Sequence, residues 1–264
     1  MKKLLALSIV AAFLLITSCG EEVALTAPEN FTISAGTDEV SVVLAWSENP
    51  SDEEVDGYYI YFNDAIADST ENTTYTHDDP QETGIYYVTA YRGEDESAAS
   101  DELSTEPVIA TGVQLYEIGV PNEESGYGWN TSTGQGAIYS MATAANASSI
   151  DLYFTNFATG YAGTYNIASP DEVLNDAGAS WLQGTTGWKE TGFAELTADF
   201  DDVTVLPTTG YFNFEEIAVN TTYGVYTEDG HYAMVEVQSI STSSGLVQVR
   251  TAFQTVEGLA ILEH

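Results

Sequence analysis

The chain has 264 residues, with 41 acidic side chains against five lysines and arginines, so its formal charge is −36. Phosphate recognition needs clustered Lys and Arg, and so does adhesion to an anionic lipid surface, so nucleic acids and basic-patch membrane contacts are both excluded. Charged residues are only 17% and hydrophobic ones 44%, too apolar for a disordered polyanion. Seventeen tyrosines, ten phenylalanines and four tryptophans supply a core. Frequent Gly and Thr with almost no Lys suit strands and turns, and the expectation is an all-β chain.

Lys2 and Lys3 precede an apolar run over residues 4–16, short for a bilayer span. Thr17-Ser18-Cys19-Gly20 follows, with small residues directly before the single cysteine. The segment resembles the signal and lipobox of bacterial lipoproteins, which implies removal of residues 1–18 and a lipid on Cys19. The alternative is an ordinary secretory signal with an incidental cysteine. A lone cysteine forms no intrachain disulfide and no thiolate metal cluster. Removal of both lysines takes the charge to −38 and leaves Arg92, Lys189 and Arg250. Glu21 and Glu22, just after the cysteine, resemble a surface-export signal of some Gram-negative groups. The expected location is therefore the outer membrane, lipid-anchored and facing outward, with residues 19–27 as an acidic tether.

Over residues 28–108 short strands alternate with turn signals, the pattern of a sandwich. Strands are expected at 30–35, at 39–46 with Val40, Val42, Leu44 and Trp46 on one face, and at 57–62 with Tyr58, Ile60 and Phe62 inward. Residues 73–76 and a strand at 84–92 with Tyr86, Val88 and Ala90 inward follow, and a last short one ends near Leu103. Trp46, Gly57-Tyr58-Tyr59-Ile60-Tyr61, and Tyr86-Tyr87-Val88-Thr89-Ala90 followed by Ser97 and Ser100 resemble the fibronectin type III family. That resemblance implies a spacer or binding module. Asp52, Glu53, Glu54 and Asp56 lack the ordered spacing of a calcium loop and read as a solvated turn.

Residues 109–264 read as a second antiparallel β-rich domain. Strand signals fall at 125–130, at 150–156 with Ile150, Leu152 and Phe154 alternating, and within 161–168. Ser169-Pro170 reads as a helix start of one or two turns. Residues 200–205 are strand or loop. The segments 222–227 and 232–240 flank Glu228-Asp229-Gly230, a strong hairpin turn, and 246–254 and 259–262 complete the chain. The stretch TYGVYTEDGHYAMV over 222–235, the strand ending Ala252-Phe253-Gln254, Gly128-Trp129-Asn130 and the 150–154 strand are together similar to the HmuY-like family of haem-scavenging surface lipoproteins. Met234 stands where that pattern has Lys.

The resemblance implies haem held by axial His or Met, with a TonB-type receptor as partner. Ligands are scarce. His231 flanks the hairpin turn at a variable position of the pattern, His264 ends the chain, and Met234 reads as core on the opposite face from His231. Met141, in an Ala-rich segment, is the more plausible iron ligand. The second reading is a glycan site, because Trp129, Trp181 and Trp188 lie in turn-like sequence where aromatic faces stack on sugars; the competing reading plugs them into the sandwich ends. A third reading is adhesion, with the first domain as spacer. No nucleophile, base and oxyanion set emerges, so no catalytic residues are expected. No cofactor is required; haem enters only as a ligand.

Overall fold

The computed structural model describes residues 24–264; the signal-like residues 1–18 and Cys19, the expected lipidation site, lie outside them. The first domain holds β1 (Thr32–Ala35), β2 (Val42–Ala45), β3 (Gly57–Phe62), β4 (Ala65–Thr70), β5 (Thr74–His77), β6 (Ile85–Arg92), β7 (Asp95–Glu96) and β8 (Leu103–Ser104). One sheet runs β1-β2-β5; the other runs β4-β3-β6-β7, with β8 also on β6. This is a fibronectin type III-like sandwich. Its alternation is as expected for Val42, Leu44, Trp46, Tyr58, Ile60, Tyr86, Val88 and Ala90, which meet in one core, with Trp46 edge-on to Tyr58; Val40, expected on the same face, precedes the strand and lies outside that core.

Strand β4 has no counterpart in the sequence reading. It is exposed along nearly its whole length, so it carries no inward period. Its pairing is set by Asn63 and Asp64, both at positive φ, between paired Phe62 and Ala65. That is the two-residue geometry matching strand twist, and Asn and Asp tolerate it.

The second domain holds β9 (Val108–Tyr116), β10 (Gly126–Trp129), β11 (Gly136–Tyr139), β12 (Leu152–Thr155), β13 (Asn166–Ala168), β14 (Gly192–Glu195), β15 (Phe214–Glu216), β16 (Thr221–Tyr226), β17 (Tyr232–Ser241) and β18 (Leu246–Phe253). They form two antiparallel five-stranded sheets, β11-β10-β12-β13-β15 and β14-β16-β17-β18-β9. The β16–β17 hairpin closes over Glu228-Asp229-Gly230 as expected, with Tyr226 paired to Tyr232. Between the sheets Leu152, Phe154, Tyr223, Val225, Val235 and Phe253 share a core.

Part of the outward face of each sheet is also covered. Tyr232, Met234 and Ala252 pack under Phe200, Val203 and Leu206. Tyr153 and Ala168 pack under Met141, Val173, Ala179 and Leu182. Strand β12 is consequently buried at every position instead of on one face. Ile150, expected beside Leu152 and Phe154, joins Tyr153 in the outer cluster. Residues 200–205 are neither strand nor open loop: Phe200–Asp202 is a 3-10 turn. The 3-10 turn Pro170–Leu174 starts with proline as expected, but the Ser169 hydroxyl bonds the Asp171 side chain instead of capping the backbone.

The last residues belong to both units. Leu259 and Ile261 enter the first-domain core with Val256, while Ala260 and Leu262 enter the outer cluster of the second. The Gln254 side chain donates to the carbonyls of Thr105 and Ile261, both at 2.8 Å. The Ala260 N–H donates to the Glu39 carbonyl at 2.7 Å, and the Tyr232 hydroxyl donates to the Glu39 carboxylate at 2.7 Å.

Candidate functional site

A cleft of about 630 Å³ opens beside the outer cluster over β12. Its walls are residues 118–125 after β9, 140–142 after β11, 159–160, and 177–181. Trp181 stands on it at 55% exposure. Met141 forms part of the wall and is itself buried. Polar groups come from Asn122, Glu123, Glu124, Ser140, Thr159 and Ser180.

Two buried carboxylates hold three of these four segments. Glu117, fully buried, accepts the N–H of Gly119 at 2.7 Å and of Asn156 at 3.1 Å, tying the first loop to the third. A Cβ on Gly119 would stand 2.8 Å from the Gly160 carbonyl oxygen, so only glycine lets the two loops close. Burial pushes the Glu117 carboxyl up to about 7, against the lowering effect of its two N–H donors. Asp176, also fully buried, accepts the hydroxyls of Tyr153 and Thr155 and the Gly178 N–H. It sets the turn from which Trp181 projects.

The five candidate residues separate. Trp181 and Met141 share the cleft. Trp188 is half-buried against the cluster that contains Met141 and Leu182. Trp129 is no surface platform: it is buried and stacks on Phe253 with ring centres 5.4 Å apart. His231 is no loop ligand either. It has the parity of Ala233 and Val235, which face the inter-sheet core, so it is buried, stacked on Phe253 and bonded through Nδ1 to the Gln254 carbonyl at 3.0 Å. Met234 is fully buried, as read.

Lys189 has a structural role that the sequence did not expose. Its ammonium bridges buried Asp151, at 2.9 Å, and Asp229 at the hairpin tip. Asp151 in turn accepts the Trp129 N–H. Burial works against the Lys189 charge, but the two carboxylates outweigh it and hold its pKa above the ordinary lysine range. The sequence signal was only that it is one of three Lys and Arg residues beyond Lys3.

These residues do not fit a haem held by His and Met. Met141 lies on the outer side of the β10–β12 sheet and His231 in the core on its inner side. No histidine lines the cleft, and no Lys or Arg lines it to meet the propionates. A second hollow of about 690 Å³ runs between the domains, along β1 and residues 255–258. It contains none of the candidate residues.

No family model matches the chain, and no curated protein matches it significantly. Among solved structures the chain is similar to a DUF4466 family protein from Parabacteroides merdae ATCC 43184, at 13% identity, over 88% of this chain and 95% of that one, with a TM-score of 0.41. It is also similar to a myokine structure, at 23% identity over 30% of this chain and 93% of that one, with a TM-score of 0.24. Titin kinase with its flanking domains aligns at 11% identity over 89% of this chain and 38% of that one, with a TM-score of 0.27. Similarity this slight says nothing of what the chain binds.

Proposed function

We propose that this is a lipid-anchored surface protein that captures a saccharide, without catalysis, in the cleft beside Trp181. The observation that carries the reading is the exposure of Trp181. The other three tryptophans are packed into cores or against them, which is the usual fate of so large an apolar ring. Trp181 instead stands on a concave surface rimmed by hydroxyl, amide and carboxylate groups. An aromatic face covers the apolar face of a sugar ring, and such oxygens accept its hydroxyl protons. The anchor is the part of this reading that rests on the signal-like sequence.

Tryptophan fluorescence of the mature protein, titrated with a panel of neutral oligosaccharides, tests this. A saturable change is expected with at least one sugar, and Trp181→Ala is expected to weaken binding about tenfold, which is about 1.4 kcal/mol. Silence across the panel, or binding indifferent to Trp181→Ala, overturns it. A saturable Soret shift with hemin would put the haem reading in its place.

A further inference from the structure

The class of sugar follows from where the positive charge of the molecule lies. Beyond Lys3 the chain has three Lys and Arg residues, and carboxylates already engage each one. Lys189 bridges Asp151 and Asp229. Arg250 forks onto Asp201, at 2.7 and 3.1 Å, and onto Glu236, at 2.6 and 3.2 Å. Arg92 lies 3.9 Å from Asp95. None of the three lines the cleft.

The histidines offer nothing more. His77 is bonded to the Tyr86 hydroxyl, and burial lowers its pKa, which keeps it neutral. His231 is bonded to Gln254. His264 bonds the Leu262 carbonyl beside Asp201. The cleft wall instead presents Glu123 and Glu124, both exposed. An anionic group entering this cleft would be desolvated beside like charge with no counter-charge. An ammonium group would find two carboxylates.

Resting on the saccharide reading, we infer that the cleft selects sugars without carboxylate, sulfate or phosphate groups and prefers those that carry an amino group, with Glu123 and Glu124 as the selecting residues. The preference is one of specificity built partly from repulsion.

Glucosamine, N-acetylglucosamine and galacturonate oligomers of equal length separate the outcomes, titrated in EDTA so that no divalent ion bridges an acidic sugar. The expected order is glucosamine, then N-acetylglucosamine at about tenfold weaker affinity, with galacturonate unbound. The gap between the first two should close in molar salt and in the Glu123→Gln/Glu124→Gln double variant. All binding should depend on Trp181, since a polycation held only by the acidic surface would ignore Trp181→Ala. Galacturonate binding as well as N-acetylglucosamine overturns the selectivity and leaves the saccharide reading intact. A glucosamine preference that survives the double variant removes Glu123 and Glu124 from the role. No Trp181-dependent binding of any of the three overturns both proposals.

Discussion

Leu259→Ala should destabilise the first domain, although Leu259 lies well over 100 residues beyond its last strand. Leu259 is fully buried in the core formed by Phe31, Val42, Leu44, Trp46 and Tyr58. Truncating a buried Leu to Ala costs about 2–5 kcal/mol, the higher values arising where the cavity does not collapse. Here collapse is resisted on both sides. The strap is pinned before Leu259 by the Gln254 side chain and after it by the Ala260 N–H on Glu39 and the Leu262 N–H on Thr204. We therefore expect about 3–4 kcal/mol. Native-state hydrogen exchange reads it by element: β2, β3 and β6 amides should lose that protection, and denaturant should unfold both domains in one transition because they share a core. Leu262→Ala, on the opposite face of the strap, should act first on β17 and β18. A loss under about 1 kcal/mol in β2, β3 and β6, or one confined to the second domain, would refute the shared-core reasoning.

Lys189→Met leaves Asp151 buried without its counter-charge and should cost about 3–5 kcal/mol in urea unfolding; adding Asp151→Asn should recover part of it, and simple additivity would contradict the pairing. Glu117 titrates at about 7 in the fold against 4.5 for an ordinary glutamate. The fold thus favours its protonated form: the contribution is complete below pH 4.5 and is lost as pH rises through about 7. The shift corresponds to about 3 kcal/mol, so the stability of the wild type relative to Glu117→Gln should fall between pH 4.5 and 8, and a constant difference would count against the buried carboxyl. At a formal charge of −36, self-repulsion destabilises the compact state, and the melting temperature should rise from low to molar salt. A flat profile would show that the carboxylates lie too far apart to matter.

How legible an element was depended on how many of its faces are wet. In the first domain β3 and β6 have one face in the core, so a period of two was visible in Tyr58-Ile60 and Tyr86-Val88-Ala90. Strand β4 is buried on neither face and showed no period; strand β12 was read from the alternation of Leu152 and Phe154, but it is buried on both faces, and that reading left out the second one, where Tyr153 packs. The hairpin at Glu228-Asp229-Gly230 was readable because turn chemistry is local. The site was less so. Trp181 and Met141 share a cleft because Met141 packs in one cluster with Leu182 while Asp176 sets the turn before Trp181, and among 41 acids no spacing marks out Glu117 or Asp176. The partners of Lys189 were hidden for the same reason.

Residues 259–262 show the limit of period-two reasoning most clearly. Leu259-Ala260-Ile261-Leu262 is apolar throughout and was read as a closing strand of the second domain. Only an isolated bridge, Ile261 to Val205, pairs it. Extended backbone sends successive side chains to opposite sides whether or not a sheet is present. Here the two sides are the cores of two different domains, Leu259 and Ile261 in one and Ala260 and Leu262 in the other. A continuous apolar run at a chain end can therefore mark a segment wedged between domains as readily as a buried strand. With its terminal segment completing the first-domain core, the fibronectin type III-like domain is more than a detachable spacer. It shares its stability with the domain that carries the cleft.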